Sequence, residues 1–219
     1  MAEKITFEES LGVEPEEFTL PLIRGCDDAL VVYIPDKSSN IIMIPEKATS
    51  IDAYTFDLQD LKEVFEEEYG SNFEYPETVG TDYIEKIVIH KNVDCIENYA
   101  FSGLKNLKTI EVDKENPYYR GGDTLFGTRE DKYEDGYISF LWCSSEKTGD
   151  YEVASWIDTI GPKAFANSKL DSVTLGEKIS YIWEDAFENC KNLVIKAPEG
   201  SYAIEYAKEN GLKFEEITY

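Results

Sequence analysis

Few residues in this chain are equipped for chemistry, and none stands at a spacing that a reaction needs. His90 is the only histidine, so any Ser-His-Asp or Cys-His relay would have to run through it. It closes the segment Ile87-Val88-Ile89-His90, whose alternation turns Ile87 and Ile89 inward and His90 outward on a strand. A hydrolase would need His90 within hydrogen-bond reach of a serine, cysteine or carboxylate in a cleft, and no partner stands at a motif spacing. Cys26, Cys95, Cys143 and Cys190 are scattered, with no Cys-x-x-Cys pair, which argues against a zinc site and leaves free thiols as the expectation. Asp131-x-Tyr133-x-Asp135-Gly136 has the outline of a calcium loop. Tyr133, however, occupies a ligand position and Trp142 stands where a bidentate glutamate belongs. Asp113, Glu115 and Asp123 form a looser candidate set for Ca²⁺. Arg120-Gly121-Gly122-Asp123 lacks the lysine and the following helix of a phosphate loop, and Glu66-Glu67-Glu68 reads as a solvated charge run. The expectation is a protein without cofactor or metal, and not an enzyme.

The elements that carry these residues follow from an internal repeat. Ile51-Asp-Ala-Tyr-Thr-Phe56, Ile96-Glu-Asn-Tyr-Ala-Phe101, Ile160-Gly-Pro-Lys-Ala-Phe165 and Ile182-Trp-Glu-Asp-Ala-Phe187 share one template, each followed by a leucine: Leu61, Leu107, Leu170 and Leu193. Strand-like runs accompany them at Leu61-x-x-Val64, Ile84-x-x-Ile87-x-Ile89, Leu107-x-x-Ile110-x-Val112 and Leu170-x-x-Val173-x-Leu175. Phe165 and Phe187 are 22 residues apart, Phe56 and Phe101 45, and Phe101 and Phe165 64. These distances read as one, two and three periods of 21 to 23 residues and predict about seven turns. The fold class expected is a β-rich α+β solenoid of the leucine-rich-repeat type, a right-handed stack of turns with a short parallel sheet. Ile51, Ile96, Ile160 and Ile182 form one inward ladder, and Phe56, Phe101, Phe165 and Phe187 another. Tyr54, Tyr99, Lys163 and Asp185 share a template position on the turn side that is expected to be exposed and tolerant.

The repeat resembles the BspA-like leucine-rich-repeat family, whose units run as an apolar strand, Val-x-x-Ile-x-x-x-Ala-Phe, then Cys or Leu, then Leu. Asn116-Pro117-Tyr118 followed by Leu125-Phe126 is similar to the family's Asn-Pro-x-Tyr…Gly-Val-Leu-Phe insertion, with Asp123-Thr124 in place of Gly-Val. The tail from Gly200 to Phe214 is similar to its closing segment. The resemblance covers residues 41–217. It implies a non-catalytic interaction protein, surface-exposed or secreted, of the adhesive kind.

The ends are read as caps. Residues 1–40 do not fit the repeat, and Leu30–Ile34 reads as a strand shielding the first turn. Residues 201–219 form a C-terminal cap, with Ser201 and Gly211 bounding a helix whose Ala203, Tyr206 and Ala207 share a face. Between them lies the solenoid, 41–200, with insertions at 65–83 and 113–150, the whole being one structural domain. Cys190 falls where Leu104 stands in another repeat and is read as a small buried hydrophobe.

With 45 acidic against 21 basic residues, the net charge is -24. Such a field repels nucleic acid and anionic lipid and keeps copies apart as monomers, while leaving room for a cationic partner or Ca²⁺. No apolar stretch is long enough to span a membrane. The N-terminal residues lack a signal-peptide pattern, which places the chain in the cytoplasm if Met1 is the native start. A binding surface is expected on the outward sheet face at Glu63, Phe65, Lys86, Val88, His90, Thr109, Glu111, Ser172 and Thr174, with Phe65 and Val88 as the anchor. Its partner is another protein or, alternatively, a glycan stacked on Tyr118, Tyr119, Tyr133 and Tyr137.

Overall fold

The computed structural model describes residues 5–6, 39–44, 46, 48–51, 53–57, 73–74, 81–129 and 137–218. Glu63, Phe65, Tyr133 and the expected strand Leu30–Ile34 lie outside them. The chain divides into two compact units, Met1–Leu107 and Lys108–Tyr219.

The first unit contains β1 (Ile5–Thr6), β2 (Ile41–Met43), β3 (Ser50–Ile51), β4 (Phe73–Glu74), β5 (Lys86–Ile89) and β6 (Cys95–Ile96). Its pairs are parallel: β1 with β4, β2 with β5, and β3 with β6. Ile42 lies against Ile87 and Ile51 against Ile96, all four buried. Direct pairing of residues 45 apart in sequence shows that this separation is one elongated turn, not two periods. Most of the expected 65–83 insertion lies outside the described residues. Phe56 and Phe101 stack at 6.2 Å and 14°, and Gly103 closes the bend beside them. A Cβ at Gly103 would stand 2.3 Å from the Phe56 carbonyl oxygen, so the close approach of successive turns requires glycine there.

The second unit runs β7 (Thr109–Val112), β8 (Tyr119–Arg120), β9 (Thr124–Arg129), β10 (Tyr137–Cys143), β11 (Thr148–Glu152), β12 (Thr159–Ile160), β13 (Lys169–Thr174), β14 (Tyr181–Ile182), β15 (Val194–Pro198), α1 (Tyr202–Glu209) and β16 (Lys213–Ile217). Two sheets result, ordered β14-β12-β10-β9-β8 and β11-β13-β15-β16. The second is wholly parallel. In the first, β8, β9 and β10 are antiparallel neighbours, and β10 then pairs in parallel with β12.

Here the core is continuous. Phe140, Phe165 and Phe187 stack nearly flat, at 4.6 Å and 6° and then 5.0 Å and 5°. Phe140 comes from the 113–150 segment, which carries no template signature, yet it begins the stack. Tyr206 from α1 ends it, tilted 51° against Phe187 at 6.1 Å. Among the described residues α1 is the one helix. Ala203, Ile204, Tyr206 and Ala207 are its buried face. Gly211, at φ 65°, stops it: the N–H groups of Gly211 and Leu212 donate to the carbonyls of Lys208 and Ala207, a glycine-terminated helix end. Ser201 holds extended backbone before the helix, but its hydroxyl makes no capping bond.

The template position expected to be tolerant is conformationally demanding in three of its four members, Asp185 being half-buried without a left-handed backbone. Tyr54, Tyr99 and Lys163 have φ of 58°, 63° and 53°, a left-handed backbone that favours glycine and penalises β-branched side chains. Lys163 is exposed, as expected, but Tyr54 and Tyr99 are half-buried and stack at 5.2 Å and 9°.

Candidate functional site

The surface positions singled out in the sequence fall into separate groups. In the first unit β2 and β5 present one face outward. Ile41 stands opposite Lys86 and Met43 opposite Val88, while Ile42, Ile87 and Ile89 fill the inward face. Met43 is 62% exposed and Ile41 39%, beside a half-buried Val88. This is an apolar face on an otherwise strongly acidic protein. Exposed carboxylates stand near both strand ends: Asp82 before β5, Glu46 after β2 and Asp94 before β6. Glu85 accepts a hydrogen bond from the Asn40 amide at 3.0 Å. His90, just past β5, is half-buried, and its Nδ1 accepts the N–H of Asn92 at 3.1 Å. That bond occupies one ring nitrogen in holding the bend that follows the strand.

In the second unit Thr109 is half-buried and Glu111 exposed on β7. Ser172 differs from its expected exposure: it is 2% exposed, and its hydroxyl donates to the Asp150 carboxylate. Asp150 sits opposite Ser172 across the β11–β13 pair and covers it. Thr174 is half-buried between Glu152 and Lys196, its register partners. Several charges on this face are paired with one another. Lys147 pairs with Asp123, Lys169 with Glu146, and Lys196 approaches Asp150 at 3.8 Å. Lys147 also lies 5.0 Å from the Tyr151 ring centre. The Lys169 hydrogen bond holds the Glu146 carboxyl below its ordinary range, and the Asp123 hydrogen bond holds the Lys147 ammonium above its own.

The remaining candidates for chemistry have structural partners. Asp113 accepts the Glu115 N–H at 2.8 Å, and Asp123 is engaged by Lys147. Among the described residues no three metal-ligating side chains converge. Asn116, almost fully buried, explains the Asn-Pro-Tyr motif: its Oδ1 accepts the N–H groups of Tyr118 and Tyr119, each at 2.9 Å. Tyr119 is 1% exposed, while Tyr118 and Tyr137 are half-buried. The more exposed aromatics of the second unit lie elsewhere, at Trp156 (52%) and Tyr181 (48%).

Cys95, Cys143 and Cys190 are free thiols. Burial pushes the Cys143 thiol up to about 12, so it carries almost no thiolate at neutral pH. Cys190 is buried, as its alignment with Leu104 predicts, and its Sγ donates to the Phe165 carbonyl at 2.9 Å. Burial raises its pKa as well.

Sequence reasoning missed Ile41 and Met43, because Ile41-Ile42-Met43-Ile44 is uniformly apolar and hides which side chains face out. Their signal is the register with Lys86–Ile89, which only the pairing reveals. No described helix is long and apolar enough to cross a membrane.

The family comparison agrees with this architecture. Six copies of the BspA type leucine rich repeat region match residues 76–121 and 137–217. Among solved structures, a leucine-rich repeat protein from Eubacterium ventriosum is similar at 22% identity and a TM-score of 0.46, over 73% of this chain and 36% of that one. A leucine rich cell surface protein from Faecalibacterium prausnitzii is 16% identical with a TM-score of 0.42, over 82% of this chain and 60% of that one. The pneumococcal vaccine antigen PcpA is 12% identical with a TM-score of 0.36, over 82% and 68%. The chain thus spans less than two thirds of the first two. No curated protein matches it. The repeat copies cover more than half of the chain, which therefore belongs to the BspA-type leucine-rich-repeat family.

Proposed function

We propose that the chain is a non-catalytic module that binds another protein through the outward face of β2 and β5. One observation carries the reading: Ile41 and Met43 are exposed side by side, in register with Lys86 and Val88. Burying an aliphatic or methionine side chain of this size is worth roughly 1.5–3 kcal/mol. Two such residues with Val88 would supply a central anchor of the kind that dominates protein interfaces. Methionine adds an adaptable, polarizable surface. The family implies a setting at the cell surface or outside it, and the large net charge favours a monomer that holds its partners without self-association.

The test is capture of surface proteins from the native host by the wild-type chain and by an Ile41→Ser/Met43→Ser variant. The reading expects a retained protein that the variant loses and that a Thr174→Ala control keeps. Equal capture by all three would refute it. A carbohydrate reading would rest on Trp156 and Tyr181, the two most exposed aromatics described in the second unit. Binding on a glycan array that disappears in Trp156→Ala would favour it instead.

A further inference from the structure

We infer that the partner segment docked on the β2–β5 face has an aliphatic centre flanked by lysine or arginine. This inference rests on the reading just given and adds the chemistry of the occupant. The face supplies an apolar centre in Ile41, Met43 and Val88. In the segments that flank these strands in sequence the exposed carboxylates Glu46, Asp82 and Asp94 outnumber the exposed Lys91, while Lys86 stands within the face beside Ile41. The whole chain carries -24, so the long-range field at this face is negative and draws cations from solution.

That field selects among the occupants an apolar sheet face could take. A second copy brings the same charge and is repelled, as are anionic lipid and nucleic acid. A neutral aliphatic segment gains the apolar contact but no steering. A segment with basic flanks gains both, and its charges can sit in the wet rim while its aliphatic residues cover Met43. Attraction of this kind weakens as salt shortens the screening length, whereas the aliphatic contact does not. The two contributions are therefore separable.

The experiment uses the full chain and two labelled synthetic peptides with the same Leu-Val-Leu centre, one flanked by lysines and one by glutamates. Fluorescence anisotropy is read at low and at physiological salt. The lysine peptide is expected to bind and to weaken with salt, the glutamate peptide not to bind, and Ile41→Ser/Met43→Ser to weaken the lysine peptide about tenfold. Both substitutions lie on exposed side chains, and a thermal melt of the variant confirms that it is folded. Three outcomes overturn the inference: no binding by either peptide, equal binding by both, or lysine-peptide binding that the double variant leaves unchanged, which would be diffuse attraction to an acidic surface. The host capture experiment fails separately. A neutral or acidic protein captured through Ile41 and Met43 would leave the docking face standing and remove its basic partner.

Discussion

The two units stack parallel strands of one repeat type, yet they finish their solvent sides differently. In the first unit, β2 and β5 leave Ile41 and Met43 uncovered beside Val88. In the second, the strand face around Ser172 is roofed by Asp150 and Lys196, and Lys169 and Lys147 are held by Glu146 and Asp123. A sheet face whose charges pair internally has little left to offer a partner, because each pair must be broken and resolvated before a new contact forms. An apolar face has only water to lose. The repeat supplies a scaffold that is alike in both units, and the residues alternating with the ladder decide where binding can occur.

The largest expected effect tests the scaffold. Phe165 lies between two nearly parallel rings, Phe140 and Phe187, so Phe165→Ala should cost about 3–5 kcal/mol in chemical denaturation. Phe101→Ala, with a looser ring stack on Phe56, should cost less. Equal losses would mean that the tighter stack of the second unit contributes nothing beyond ordinary burial.

Next comes the close approach in the first unit. Gly103→Ala must displace the Phe56 backbone and should cost about 1–3 kcal/mol. Gly176→Ala, whose Cβ would meet its nearest atom at 3.9 Å, should change stability far less. Thermal melts of the pair compare a crowded bend with an open one.

Alkaline unfolding probes the core of the second unit. Burial raises Cys143 from 9.0 to about 12 and Tyr206 from 10.0 to about 12. In the unfolded chain these groups release their protons near the lower values, while the folded chain keeps them. The unfolded state therefore binds fewer protons in this window, and stability falls as pH rises. It is unaffected by these groups below about pH 9 and declines up to about 12, by about 1.4 kcal/mol per pH unit for each group titrating. Cys143→Ala should flatten the first part of that decline, read from denaturant midpoints at successive pH values. A decline of unchanged slope would show that Cys143 is not shielded from solvent.

How much of this was legible beforehand depended on periodicity. Ile51, Ile96, Ile160, Ile182 and the four template phenylalanines announce themselves because a solenoid repeats the same inward positions at a fixed spacing. The capping helix is visible from Gly211 and the spacing of Ala203, Tyr206 and Ala207. Phe140 escaped notice because it reaches the stack from a hairpin, where no template residues flank it. The burial of Ser172 depends on Asp150, a residue from β11 whose pairing with β13 has a register shift after Gly149. The 45-residue separation of Ile51 and Ile96 looked like two turns because an elongated turn and two regular ones have the same length in sequence. Of the candidate binding face, Lys86 and Val88 were legible from strand alternation, but Ile41 and Met43 were not, since an unbroken apolar run carries no facing information.

The smallest stability effect is expected where the largest binding effect should be. Ile41→Ser and Met43→Ser alter solvent-facing side chains and should move the melting free energy by no more than about 0.5 kcal/mol each. A photo-crosslinking amino acid placed at position 43, and separately at position 174, then compares the two faces directly in the presence of surface proteins from the native host. A discrete adduct is expected from position 43 and none from position 174. Adducts of equal yield from both positions, or from position 174 alone, would contradict that expectation.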